Sequence, residues 1–493
     1  MLVTDSLLLD YKRCQRRAYL NVYGNPEDRS PERDFLLKLR QESYKHTQSV
    51  LQKFYPHYQE PVAAKGQWEL RAQATLQLMA QGADCIYNGC LTDGLGHFRD
   101  GQDTLLLVGY PPLLVRHPGQ SCWGDWEYVP VSIQLGRRPK PEYKILAAFY
   151  AQLIAVHQGH LPPHADIILR RGNLHRVDLL EWLPRFQQTL MDCVQTLVHR
   201  GEPEVFISRQ RCTLCHWHNH CYTLAQAQEH LSLVPGVTPS RYESLQSLGV
   251  FTISALADIA MVSMEELMGP AIAAQLQLQA QAMVEKRAIL KTPLKANPLP
   301  QAPVELYFDI EAEPERNLDY LLGVMVVDHR TGKEQFHGFL AETPEQEAEI
   351  WQAFLALVNH YPTAPIFHFS EYEVETIKRL AQLYDTPKQE RNRLLKQCFD
   401  LHRYVVATVT CPVESYSLKA LANWLGFQWR DAGASGDQSV CWYDQWLESG
   451  ERQYLHWILR YNEDDCRATW VLKDWLGQFL ALNLEAGSVG KTR

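Results

Sequence analysis

Three short stretches place side chains where they could share one chemical task. In VELYFDIEA, Val304, Leu306, Phe308 and Ile310 alternate with Glu305, Tyr307, Asp309 and Glu311, so a strand would put Asp309 and Glu311 on the same face. HFSEYEVETIKRL leaves a strand and opens a helix whose inward stripe is Val374, Ile377, Leu380 and Ala381. Glu373 then falls at the strand-to-helix junction, with Glu371 as a nearby substitute. In RYNEDDCRATWVL, Tyr461 and Asp465 stand four apart and share a helix face, a phenol beside a carboxylate. Carboxylates gathered from separate elements suit a pair of divalent cations about 3.5–4 Å apart, which activate water and stabilise a leaving oxygen. A lone Asp-x-Glu on a strand is usually a solvated face, but three stretches in this order are harder to obtain by accident. Glu313, Glu463 and Asp464 read as solvated charges.

A second constellation is sulfur. The chain has twelve cysteines, which in a large intracellular protein suit free thiols or metal ligands better than a disulfide framework. Three of them, Cys212, Cys215 and Cys221, form C-x2-C-x5-C in CTLCHWHNHC, with His216, His218 and His220 between them. A zinc site using some of these groups is chemically sensible; free thiols in a turn are the plainer reading.

The elements that must hold these groups divide a chain of 493 residues, too long for one ordinary core. Hydrophobic content of 46% with 21% charge is that of a globular protein, and no apolar run reaches the length that crosses a bilayer. The amino terminus offers no small-residue cleavage site, so a cytoplasmic protein is expected. A net charge of -9 argues against nonspecific coating of nucleic acid. Basic clusters nevertheless stand at Lys12, Arg13, Arg16 and Arg17, and at Arg137, Arg138, Lys140 and Lys144. Residues 1–225 read as mixed, with β-rich text around Thr104–Gln134 and helices after Pro141. Residues 226–290 read as helical. Pro293, Pro298, Pro300 and Pro303 make 291–303 a linker. Within 304–485, three strands, a helix, a strand and further helices follow the element order of an RNase H-like fold.

The Asp309-x-Glu311 strand, the acid Glu373 and the Tyr461-x-x-x-Asp465 helix resemble the DEDDy proofreading-type 3′–5′ exonucleases, over roughly Pro303 to the carboxyl end. The resemblance implies that Asp309, Glu311, Glu373 and Asp465 bind two metals, Mg2+ or Mn2+, and that Tyr461 orients the attacking water. It departs at Glu373, where that family commonly has Asp. LLLDYKRCQRRAYL, the run YVPVSIQLGRRPKPEYKILAAFYAQLI and CTLCHWHNHC together resemble RecB-like nucleases of the PD-(D/E)XK superfamily that carry an iron–sulfur cluster. By that likeness Cys14, Cys212, Cys215 and Cys221 would hold a 4Fe–4S cluster in a structural role, with zinc the alternative. The acid and lysine positions of that fold hold Pro112, Ser132 and Gln134, and its helix motif holds Leu146 and Tyr150, so this domain is expected to have lost hydrolysis.

Around Pro235-Gly236-Val237 and Leu248-Gly249-Val250 the helical middle resembles a helix-hairpin-helix element, whose turn amides can hold backbone phosphates; a packing hairpin is the alternative. The combined expectation is an α/β multidomain protein: a degenerate PD-(D/E)XK restriction-endonuclease-like domain, a helix-hairpin-helix connector, a proline-rich linker and an RNase H-like exonuclease domain. Its partner would be DNA or RNA, as single strands or 3′ ends, with no membrane. The rival reading is a noncatalytic nucleic-acid-binding or scaffold protein with both sites idle.

Overall fold

Cys14 interrupts what would otherwise be one amino-terminal helix. Its extended backbone (φ -163°, ψ 114°) ends α1 (Asp5–Arg13) and begins α2 (Gln15–Tyr23). In the computed structural model, which describes residues 1–64, 66–93, 99–100, 103–293 and 299–489, these helices belong to the first of two units, Met1–Tyr222 and Thr223–Arg493. The first unit is built on a mixed sheet of β1 (Cys85–Tyr87), β2 (Leu113–Ser121), β3 (Gly124–Ile133), β4 (Ala165–Ile168) and β5 (Leu174–Val177), in the order β5-β4-β3-β2-β1. β1, β2 and β3 pair antiparallel, and β4 runs parallel to β3. A parallel neighbour needs a crossover, supplied by α3 (Pro141–Gln158), which begins with proline at its first turn. α3 is buried along most of its length because it packs on β3 and β4 and against α4 (Leu179–Val198). The expected β-rich segment and the helix after Pro141 are both present.

The second unit opens with four helices, α5 (Pro239–Ser247), α6 (Ile253–Asp258), α7 (Met261–Met268) and α8 (Pro270–Glu285). Gly236 and Gly249 take the left-handed backbone (φ 95° and 75°) that their turns require. Pro298 of the proline-rich run lies outside the described residues, whereas Leu299 is buried in a cluster with Leu472 and Leu476. A five-stranded sheet follows: β6 (Val304–Glu313), β7 (Leu318–Asp328), β8 (Lys333–Leu340), β9 (Ile366–His368) and β10 (Cys398–Asp400), in the order β8-β7-β6-β9-β10. The first three strands are antiparallel, and β9 and β10 are parallel to β6. Helices α9 (Glu347–His360), α10 (Tyr372–Leu383), α11 (Leu418–Trp424), α12 (Gly436–Ser449) and the long α13 (Gln453–Val489) pack around this sheet, with two shorter helices at Lys388–Gln397 and Leu401–Thr408. The expected three strands, helix, strand and helices are all present. β10, three residues long, follows directly on a charged helical stretch and does not announce itself by periodicity.

Both faces of β6 are covered. Leu306 and Phe308 join Trp351 and Phe354 of α9 and Ile377 and Leu380 of α10. On the opposite face Tyr307 packs with Cys466 and Trp470 of α13. Along that face Glu305, only 2% exposed in its side chain, receives Lys473 Nζ of α13 at 2.6 and 2.9 Å. Tyr307 Oη and His329 Nε2 complete its partners at 2.7 and 2.9 Å. Burial by itself raises the Glu305 pKa, yet these partners bring it below the ordinary carboxylate value. Its stabilisation is therefore present at neutral pH and lost as pH falls through that lowered value.

Lys473→Ala leaves Glu305 buried without its cation and should destabilise the second unit by about 3 kcal/mol. Urea unfolding at pH 7 measures it; a change below about 1 kcal/mol would mean that β6 and α13 do not depend on the pair.

Candidate active site

The site is set by how closely α13 approaches the sheet. Asp309 on β6 pairs in register with Gly323 on β7, and Gly323 pairs with Gly338 on β8. These glycines form a side-chain-free notch. A Cβ on Gly323 would overlap the Asn462 amide, and one on Gly338 would crowd Leu459. α13 therefore settles deep enough for Asn462 Nδ2 to donate to Asp309 Oδ2 at 2.7 Å. A register shift between Glu311 and Ala312 turns the strand just beyond the site, as bulges near functional groups commonly do.

One carboxylate oxygen from each of Asp309, Glu311 and Asp465 lies within 4.8 Å of the others. Asp309 is pushed well above the usual carboxylate range by burial and then by the charges of Asp465, Glu311 and Glu373. Glu311 is raised for the same reasons, burial first and Asp465 second. Asp465 is pushed up to about 7 by burial, against the opposing effects of Trp429, Tyr461 and Lys419. Tyr461 is raised further, by burial and by its three carboxylate neighbours, and donates its hydroxyl to Asp465. Its phenol stays protonated at any ordinary pH.

These groups fit a divalent cation. Glu311 Oε1 is buried with no hydrogen-bond partner, a costly state that a cation would relieve. Hard oxygen donors of this kind suit Mg2+ or Mn2+.

Glu373 is placed differently. It is buried, with Ser370 Oγ donating to its Oε2 at 3.0 Å and His368 Nδ1 3.5 Å from the same oxygen. His368 Nδ1 also meets the Ser370 carbonyl at 2.7 Å. Ser370 adopts φ 152°, which residues other than glycine rarely take. Glu373 is close enough to repel Asp309 but is not one of the three converging carboxylates. Glu371, the substitute, is exposed.

Asp464 is not the solvated charge its sequence suggests: it is 3% exposed. It accepts from the Arg430 backbone N at 2.9 Å and from Arg430 Nε at 2.7 Å. Glu463 holds Arg430 and Arg467, and Glu313 is buried. The reason is the i, i+1 geometry of α13. Asp464 and Asp465 diverge to two sides of the segment carrying Trp429 and Arg430, so one fixes that segment and the other receives Trp429 Nε1 at 2.8 Å. Asn462, Trp429, Lys419, Ser370 and His368 were not foreseen; the only signal was adjacency of Asn462 to Tyr461.

In the first unit, Cys14, Cys212, Cys215 and Cys221 are all half-buried free thiols. Burial raises Cys212 and Cys215, and carries Cys221 to about 11 against the pull of Arg16; each is raised further by the charge of Cys14. The Ser208 N–H donates to Cys212 Sγ at 3.3 Å. Around them His216 bonds Asn21 at 2.8 Å, His218 stacks on Tyr222 and His220 faces Asp28. The sulfurs are near enough to influence one another electrostatically, but among the described residues no three of them lie within 4.8 Å of one another. Ser132, expected at an acid or lysine position, is buried, and Tyr150, expected at the helix motif, donates to Asp5 at 2.8 Å.

Residues 306–477 match the family model RNase_H_2, described as RNase_H superfamily. The carboxyl-terminal part of the chain is thus an RNase H-superfamily domain. A search of curated proteins finds no match to the chain. Among the described residues no helix is long and apolar enough to cross a membrane.

The raised carboxylates give a pH test. Their folded pKa values exceed the unfolded ones, so metal-free protein should lose stability as pH rises from about 4 towards 7. Mn2+ should restore it most strongly at the upper end. Thermal unfolding with EDTA or Mn2+ across this range measures both; an Mn2+ effect independent of pH would refute the assignment.

Proposed function

We propose that this chain is a metal-dependent phosphodiester hydrolase, a 3′–5′ exonuclease of the DEDDy kind acting on DNA or RNA. The observation that carries the reading is the convergence of Asp309, Glu311 and Asp465, with the Tyr461 hydroxyl on Asp465. Asp309, Glu311 and Asp465 would hold Mg2+ or Mn2+, with Glu373 on the second side, and the metals would supply activated water and a sink for the leaving oxygen's charge. The remaining residues position. Asn462 fixes the Asp309 carboxylate, Trp429 fixes Asp465, and the protonated Tyr461 phenol orients the water that attacks. The first unit would be a PD-(D/E)XK scaffold without hydrolysis that binds nucleic acid or a partner. Its Cys14, Cys212, Cys215 and Cys221 would hold a structural 4Fe–4S cluster, with zinc the competing occupant.

One observation favours the rival, a noncatalytic binding or scaffold protein: Glu373 is already engaged by Ser370 and His368. Single-turnover assays on 3′-ended DNA and RNA with Mg2+ or Mn2+ separate the two. Asp309→Asn should lower the rate by at least about a thousandfold, more than 4 kcal/mol of transition-state stabilisation, with the fold intact. Tyr461→Phe should keep metal affinity and lose about a hundredfold. Asp309→Asn protein as fast as the parent would place any activity elsewhere.

The sulfur reading is tested apart from hydrolysis. Anaerobically purified protein should be brown and contain iron with acid-labile sulfide, and Cys14→Ser should bleach it. Stoichiometric zinc without iron would replace the cluster with a zinc site.

A further inference from the structure

In the first unit a cavity of about 300 Å³ opens beside the break between α1 and α2, lined by Lys12, Arg13, Cys14, Gln15, Asp192 and Arg211 among others. Three of these side chains are cations, drawn from two segments far apart in sequence. Among the described residues none of the three has a carboxylate partner within 4 Å. Arg211 is turned towards the amino-terminal segment by donating Nη1 to the Arg13 carbonyl at 3.1 Å. The one acid, Asp192, already accepts from Gln188 at 2.7 Å. α2 begins at the cavity wall with no side chain capping its first turn, so its amide donors and positive dipole end add to the cations. The wall is therefore cationic, rich in donors and short of acceptors.

We propose that this cavity is a phosphate site, taking a phosphate ester between Lys12, Arg13 and Arg211, with Gln15 and the start of α2 supplying further donors. Guanidinium groups match phosphate oxygens in geometry, and an uncapped helix start favours the same charge. The volume is at the lower end of ligand sites and suits a phosphate group with its near substituents. The ester could come from a nucleic-acid backbone or from the terminus of a small phosphorylated molecule. The proposal rests on the binding role given above to the first unit, and not on hydrolysis by the second.

The test uses full-length protein in EDTA, with a labelled single-stranded oligonucleotide followed by anisotropy from 50 to 300 mM salt. Iron content serves as a check that the cysteines are undisturbed. Lys12→Ala/Arg13→Ala/Arg211→Ala should weaken binding at low salt at least about tenfold and make the salt slope shallower by about 2, three contacts at about 0.7 each. Lys12→Glu, a reversal at an exposed position, should go the same way if the triple variant does not fold. Pyrophosphate at millimolar concentration distinguishes the sources: displacement of the strand assigns the site to terminal phosphates, and retention assigns it to the backbone. Parent protein that binds no strand and gains no thermal stability from pyrophosphate would remove the binding role itself. Parent binding matched by both variants, with an unchanged salt slope, would overturn the cavity alone.

Discussion

The seating of one helix on one strand is the constraint on which the second unit depends. β6 carries Asp309 and Glu311, α13 carries Tyr461 and Asp465, and neither element has a site without the other. Like charges drawn together in a buried place repel: burial raises all three carboxylates, and the charge of Asp465 raises Asp309 and Glu311 further. Something must hold the two elements against that force. At one end the Lys473–Glu305 pair joins them, in the middle Tyr307 packs on Cys466 and Trp470, and at the site the Asn462 amide grips Asp309. Gly323 and Gly338 make the approach possible by offering no side chain. Strain at the site is thus balanced by ordinary packing a few residues away, the arrangement expected where chemistry costs local stability.

A wider ring of contacts fixes the approach of each carboxylate. Asp464 and Glu463 hold Arg430, which sets the neighbouring Trp429 against Asp465. Lys419 lies 5.4 Å over the Trp429 ring and donates to the Ala434 carbonyl, bringing the cation that partly offsets the charge on Asp465. On the other side, Ser370 and His368 hold Glu373 at the end of β9. Glu373 is thus held by a serine in an unusual backbone conformation and by a buried histidine.

Much of this was legible because it follows from period and adjacency. Alternation in VELYFDIEA placed Asp309 and Glu311 on one face, and the spacing of four placed Tyr461 beside Asp465. The order of strands and helices after the linker was equally readable, since each long element carries its own periodicity. Contacts between elements were not readable. Nothing in YLLGVMVVD says that Gly323 leaves room for Asn462, and nothing in NEDD says that Asp464 turns to an arginine while Asp465 turns to Asp309 and Glu311. The reading of Asp464 and Glu313 as solvated failed for that reason: burial of a charge depends on which distant segment packs over it. β10 escaped notice because it follows directly on a charged helical stretch, whereas the equally short β9 lies in the apolar run PIFHF, and Asp5 because its partner Tyr150 is far along the chain.

Most buried acids in either unit, Glu305 and Asp464 of the second among them, have donors from the protein, and the three converging carboxylates differ from them. In the first, Asp5 receives the Tyr110 N–H and the Tyr150 hydroxyl, Asp166 faces His164 and Arg176, and Glu127 meets His160. Each has donors from the protein, so each is settled without a ligand, as buried charges must be in a structural role. In the second, Asp309, Glu311 and Asp465 converge on one another, and Glu311 keeps an oxygen that nothing in the fold satisfies. A fold does not gather carboxylates against their own repulsion to stabilise itself, because replacing any of them with an apolar side chain would relieve the cost. Their gathering in one place, on elements clamped to keep them there, is the donor set that the proposed divalent-cation site would require.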